Sequence, residues 1–287
     1  MICDRVNLTF PESVSTGLLS DIGLVLNAAG ATSATDSLWR HCDGGTVFLE
    51  HKRGFTVMQV SGALLGTLRK CGLYDDFFLP FVGVPHRITR LDIAHDVARD
   101  SPALLKRLYS KARSGSVGLT RKKLRGHQIR KLFSPGLDGR DTGTVYLGSP
   151  TAEVKARIYD KAFERYCKAG IEPIGPLTRY ELTITNKGGA SLSDVFSPSA
   201  AFWHYMGDVL RRPANAPDWS PSDSGFDLPK RSSLLPYEIL SRKVADSAEI
   251  GNLLSLASDC GPMGLETLIR KIRERHSRDH GGECLAG

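Results

Sequence analysis

The stretch from Arg90 to Val97, Arg-Leu-Asp-Ile-Ala-His-Asp-Val, constrains the fold more tightly than any other part of the chain. A β-strand has a side-chain period of two, so Arg90, Asp92, Ala94 and Asp96 share one face and Leu91, Ile93, His95 and Val97 the other. Two carboxylates on one face, backed by an apolar face, suit an oxygen-lined pocket for a hard divalent cation. The same pattern also fits an edge strand with a solvated acidic face and an Arg90–Asp92 pair.

Two later stretches bear on that choice. Val154 to Lys161 sets Lys155, Arg157, Tyr159 and Lys161 on one face, with Ala156 and Ile158 behind. Three cations flanking one phenol would hold a phosphate beside its hydroxyl and favour the phenolate, whose ordinary pKa is about 10. Leu177 to Thr185 groups Arg179, Glu181 and Thr183 opposite Tyr180, Leu182 and Ile184. Taken alone, that strand reads as an Arg179–Glu181 pair on a solvated face.

Around these stretches strand and helix periods alternate. Residues 5–10 alternate as a strand; Leu18, Ile22, Val25, Leu26 and Ala29 recur at helical spacing; residues 31–45 read as loop. Ser101-Pro102 supplies a hydroxyl cap and a first-turn proline for a helix that turns Leu104, Leu105 and Leu108 inward. The pattern predicts an α+β fold. Its largely antiparallel sheet takes strands near 46–60, 88–97, 143–148, 154–161 and 178–185, flanked by helices near 16–29, 101–112 and 198–211. Residues 1–212 are expected to form one domain, 213–233 a linker, and 234–287 a small helical, basic tail.

The net charge of +7 points to an anionic partner, and one segment concentrates it. Arg121, Lys122, Lys123, Arg125, Arg130 and Lys131 crowd a stretch without acids, as expected of a surface that binds DNA phosphates irrespective of sequence. The six cysteines have no short paired spacing, which argues against a zinc site or disulfide framework and fits free thiols in a reducing compartment. No run approaches the length of a membrane helix and the first residues lack a signal-peptide pattern, so a cytoplasmic protein without a membrane partner is expected.

Five pieces in order, Val60-Ser-Gly, Thr89-Arg-Leu-Asp-Ile-Ala-His-Asp, Thr142-Gly-Thr-Val-Tyr-Leu-Gly-Ser, Arg157-Ile-Tyr-Asp-Lys and Arg179-Tyr-Glu-Leu, carry a family resemblance. Over residues 45–210 the chain resembles the replication initiation factors of staphylococcal-type rolling-circle plasmids, which have relatives in filamentous phages and integrative elements. The resemblance implies a fold related to the HUH endonucleases and a metal-dependent nicking-closing activity. Such an enzyme cuts one strand at an origin, keeps a 5′-phosphotyrosine link and later rejoins the ends. By match to the motif, Tyr159 takes the nucleophile's place, with Arg157 and Lys161 beside it. Asp92, Asp96 and Glu181 take the places of acidic ligands to Mg²⁺ or Mn²⁺. The His-hydrophobe-His pair of the wider HUH group is missing, which leaves the ligand number and any part for His95 open. Origin DNA, single-stranded or cruciform, is the implied partner in a bacterial cytoplasm; host helicase, host polymerase and a homodimer are compatible with it.

Two other readings compete. A non-catalytic origin-binding or regulatory protein would explain the charge, but not acids and a cation-flanked tyrosine on matching strand faces. A tyrosine recombinase would match His127-Gln-Ile-Arg130, yet the upstream arginine and C-terminal tyrosine of that set are not found at suitable spacing.

Overall fold

Period-two alternation becomes strand, and the strands assemble into one large sheet. In the computed structural model the described residues are 1–221 apart from 12, 53, 120–121, 124–125 and 133–142; for Lys122, Lys123, His127 and Asn186 only the backbone is described. They fall within a compact unit, Met1–Pro229. The expected tail at 234–287 and the linker beyond residue 221 lie outside the described residues, as do Arg121 and Arg125.

The chain opens with β1 (Ile2–Phe10), α1 (Thr16–Ala28), β2 (Thr32–Thr35), β3 (Leu38–Arg40), β4 (Thr46–Lys52) and β5 (Phe55–Ser61). Then come α2 (Gly62–Lys70), α3 (Tyr74–Phe78), β6 (Arg87–Val97), α4 (Ser101–Arg113), β7 (Gly118–Leu119), β8 (Lys122–Lys123) and β9 (Ile129–Leu132). The remaining elements are β10 (Thr144–Leu147), β11 (Val154–Asp160), α5 (Lys161–Ala169), β12 (Thr178–Thr185), α6 (Leu192–Phe196) and α7 (Ser199–Met206). Ten strands form one sheet in the order β2-β3-β4-β5-β1-β6-β12-β11-β10-β9, and β7 pairs with β8. Every described pairing in the large sheet is antiparallel, so the expected α+β class is the observed one.

One face of this sheet is apolar. Val6, Leu8, Met58, Val60, Leu91, Ile93, Ile158, Tyr180, Leu182 and Ile184 join Leu18, Ile22 and Leu26 of α1 in a single core. Leu64, Leu65 and Leu68 of α2, Leu104, Leu105 and Leu108 of α4, and Phe202 and Met206 of α7 complete it. Burying an aliphatic side chain of this size contributes about 1.5–3 kcal/mol, so the helices hold the central strands firmly from behind. His95 belongs to this side: its ring lies 5.6 Å from Phe202 and 6.0 Å from Trp203, centroid to centroid.

Several elements depart from the sequence reading. Residues 31–45, expected as loop, contain β2 and β3. β2 is exposed at every position and has no apolar alternation to reveal it. The helix expected over 198–211 stops at Met206, and Asp100, not Ser101, occupies the N-cap of α4. Ser101 instead lies within hydrogen-bond distance of Thr178, 2.8 Å between hydroxyl oxygens.

Candidate functional site

The other face of the central strands is polar, and register decides which side chains meet there. Between β11 and β12, Arg157 faces Glu181 and Tyr159 faces Arg179. Between β12 and β6, Arg179 faces Asp96, Glu181 faces Ala94 and Thr183 faces Asp92. The small side chain of Ala94 leaves room between Asp92 and Asp96, opposite Glu181. On the far side of β6, Arg5 of β1 faces Asp92.

β1 also delivers a residue that sequence reasoning missed. Its register slips between Cys3 and Arg5, and this irregularity includes Asp4, whose carboxylate reaches Arg179 at 3.3 Å. The approach depends on Gly62, because a Cβ there would overlap the Asp4 carbonyl oxygen. The glycine of the Val60-Ser-Gly piece therefore has a packing reason. No alternation signals Asp4, since a bulge breaks the period that would reveal it.

Each predicted metal-ligand carboxylate is held by an arginine. Arg90 donates to both oxygens of Asp92, with Nη2 2.7 Å from Oδ2. Arg157 Nη2 lies 2.7 Å from Glu181 Oε1. Arg179 grips Asp96 with two parallel bonds of 2.6 and 2.7 Å. The Arg90–Asp92 pair anticipated from sequence is thus present. Arg179, however, bonds across strands to Asp96 and Asp4 instead of pairing with Glu181 along its own strand.

Asp92 and Glu181 are 3% and 2% exposed, an environment that carboxylates tolerate only when paired. Burial raises the pKa of Glu181, and the nearby charges of Asp92 and Asp4 add to the rise against the pull of Arg157. Burial would also raise Asp96, but the hydrogen bonds and charge of Arg179 outweigh it and hold that carboxyl below its ordinary value.

Asp4, Asp92 and Glu181 line one cavity of about 320 Å³ with Arg5, Arg90 and Arg157; Asp96 is not among its walls. Three carboxylates on the walls of one polar cavity, all oxygen donors, suit a hard divalent ion. Among the described residues, three ligand atoms within 4.8 Å of one another occur only at His41, Cys42 and Asp43, on the turn after β3. Asp92, Asp96 and Glu181 do not close to that degree. His95, turned toward α7, takes no part on this face.

Tyr159 is the last buried residue of β11, 8% exposed, because Asp160 ends the strand by capping α5 through Phe163 N at 2.9 Å. Its hydroxyl donates to Glu181 Oε2 at 3.4 Å. Arg157 and Lys161 lie 5.3 and 5.8 Å from its ring centroid. The expectation that flanking cations favour the phenolate needs correction. Burial pushes the Tyr159 phenol upward, Glu181 and Glu164 add to it, and Arg157 and Arg179 offset only part. The physical reason is that the cations are already engaged: Arg157 by Glu181, Lys161 by Glu164, and Lys155 by the Pro150 carbonyl at 2.7 Å. Lys161, moreover, begins α5 instead of ending the strand.

The other tyrosines separate clearly. Tyr180 is 2% exposed in the core. Tyr146 sits on the polar face across from Arg157, with Arg130 over its ring at 5.1 Å. Both line a second cavity of about 220 Å³ that shares Arg90, Arg157 and Glu181 with the first. Tyr166 lies on α5. Of the basic cluster, Arg130 thus reaches the site, Lys131 is beside it on β9, and Lys122 and Lys123 form β8. Among the described residues, no helix is long and apolar enough to cross a membrane.

A search of curated proteins finds no match. Among solved structures, the chain is similar to a rolling circle replication initiator protein from Geobacillus stearothermophilus, at 18% identity and a TM-score of 0.44, over 64% of this chain and 73% of that one. Residues 86–216 match the family described as replication initiation factor, a span running from β6 through β12 to ten residues past the end of α7. That segment, which carries Asp92, Asp96, Tyr159, Arg179 and Glu181, is the part of the chain that is similar to the replication initiation factor family.

Proposed function

We propose that the chain is a rolling-circle initiator that nicks one strand of origin DNA through Tyr159 and holds a 5′-phosphotyrosine link until the ends are rejoined. The observation that carries this reading is the Tyr159 hydroxyl directed at Glu181 beside a cavity walled by carboxylates and guanidiniums. The Tyr159 oxygen attacks phosphorus and its proton passes to Glu181 Oε2, the oxygen that Arg157 does not hold. The bond from phosphorus to the 3′ oxygen breaks, and that oxygen leaves as a 3′-hydroxyl after taking a proton from solvent. Rejoining is the reverse transfer.

The upward shift of Glu181 suits it to receive a proton, since a base works best when its pKa is near the operating pH. Once protonated, Glu181 releases its charge hold on Arg157, whose half-exposed guanidinium is then free to bind the phosphate as charge builds there. Asp96 acts by orienting Arg179 beside Tyr159. In this reading Asp4 and Asp92 would hold a Mg²⁺ or Mn²⁺ ion, which when bound polarises the phosphoryl oxygen. Arg130, Lys131 and the basic residues before them supply phosphate contacts along the strand.

The test is a covalent-adduct assay on denaturing gels, using the full chain, single-stranded DNA from the origin region, and Mg²⁺ or Mn²⁺. Tyr159→Phe removes one oxygen; it is expected to bind DNA as before and to give no adduct, while Tyr146→Phe still gives one. Adduct formation by Tyr159→Phe would transfer the role to Tyr146. No adduct from the unaltered protein would favour a non-catalytic origin-binding role.

A further inference from the structure

The larger cavity extends well beyond the residues that the chemistry uses. Two thirds of its walls come from residues before position 63, outside the segment that matches the family. Across this part of the face, Phe48 of β4 stands opposite Gln59 of β5, and Gln59 stands opposite Asn7 of β1. Phe48 is 41% exposed on an otherwise polar surface, whereas its neighbours Val47 and Leu49 are buried in the core. A large aromatic left open beside charged groups has its ring face available for stacking.

The polar groups around it are fixed in place. Arg5 donates to Gln59 Oε1 at 2.6 Å and to Asn7 Oδ1 at 3.3 Å. With its oxygen committed to Arg5, the Gln59 amide nitrogen keeps its own donors for a ligand. Arg90 and Arg157 close the end nearest Glu181. The cavity therefore offers a planar apolar surface, directed hydrogen-bond donors and cations at one end, in about 320 Å³. That combination matches a nucleotide, with a base to stack, an edge to read and a phosphate to neutralise.

We infer that this pocket binds a nucleobase of the single strand being cut, stacked on Phe48 and read by Gln59 and Arg5, and so contributes to the choice of cleavage position. The inference rests on the nicking reading for the identity of the strand.

It is tested by fluorescence anisotropy with the full chain and labelled oligothymidylate, oligocytidylate and oligoadenylate of about a dozen nucleotides, followed by the adduct assay of the same proteins on single-stranded DNA from the origin region. Phe48→Ala is expected to weaken binding of the preferred oligonucleotide about fivefold or more, the range for losing one base–aromatic stack. Phe48→Trp is expected to restore binding, and Gln59→Ala to narrow the preference among the three. Thermal melting of each variant reports whether the fold is kept. Binding by a folded Phe48→Ala within about twofold of the unaltered protein overturns the pocket, whatever the adduct assay gives. Phe48-dependent binding without any adduct on the origin DNA keeps the pocket and overturns nicking.

Discussion

The two faces of β6, β11 and β12 contrast more sharply than any two elements do. Behind, Leu91, Ile93, Ile158, Leu182 and Ile184 are fully buried and pack against the helices. In front, an almost equally buried layer is charged: Asp92, Arg179 and Glu181 are at most 6% exposed. The same backbone thus carries one layer that favours folding outright and one whose desolvation opposes it. The opposition is met by placing a guanidinium on each carboxylate. Such pairs stabilise little against an apolar alternative, but removing one partner strands a charge. The lesson is that the back face supplies the stability that lets the front face hold reactive groups in fixed positions.

The contrast breaks most visibly from behind. Leu182→Ala should cost about 2–5 kcal/mol, the range for truncating a buried leucine. Urea or thermal denaturation measures it, and adduct formation per folded molecule should be retained. On the front face, Arg179→Met is expected to cost about 2–3 kcal/mol, less than a fully buried pair, because Asp96 and Asp4 keep 28% and 27% of their side-chain surface exposed. It also has a pH signature. Asp96 has a folded pKa below its unfolded value of about 3.9, so its contribution is complete above that pH and is lost as pH falls through the lower folded value. Arg179→Met should therefore flatten the acid side of the stability curve. An unchanged acid limb would mean that Arg179 does not hold Asp96 in solution.

The two faces were also unequally legible in the sequence. Alternation alone places Leu182 and Tyr180 behind and Glu181 in front, and helical spacing alone finds α1 and α4. What alternation lacks is register. Whether Arg179 bonds Glu181 along its strand or Asp96 across from it depends on which residue of β6 comes opposite, which no single strand encodes. Asp4 was hidden by a bulge, and β2 and β3 by having little apolar surface to bury. Phe48 looked like one more apolar residue of a β run; only the sheet shows that its side chain stays on the open face. Lys161 continued the basic alternation on paper, but the Asp160 cap turns the chain into a helix first.

The smallest expected stability effect lies at the centre of the charged face and separates its two roles. Glu181 has a folded pKa above its unfolded value of about 4.3, so the folded state holds that proton more tightly than the unfolded chain does. Its contribution to stability is therefore greatest below about pH 4.3 and declines as pH rises through the folded value, the reverse of Asp96. Glu181→Gln removes that decline and keeps a hydrogen-bond acceptor for Arg157, while giving up the charge that strengthens the bond. The two changes oppose each other, so the midpoint in urea at neutral pH should move by no more than about 1 kcal/mol in either direction. Relative to Glu181→Gln, the unaltered protein should lose stability as pH rises from about 4.3 through the folded value. Adduct formation should fall steeply in the same variant, because an amide cannot take the Tyr159 proton. Glu181→Asp would restore a base at a shorter reach and recover part of the activity. A large loss of stability in Glu181→Gln with adduct formation intact would reverse the assignment, making Glu181 a structural partner of Arg157.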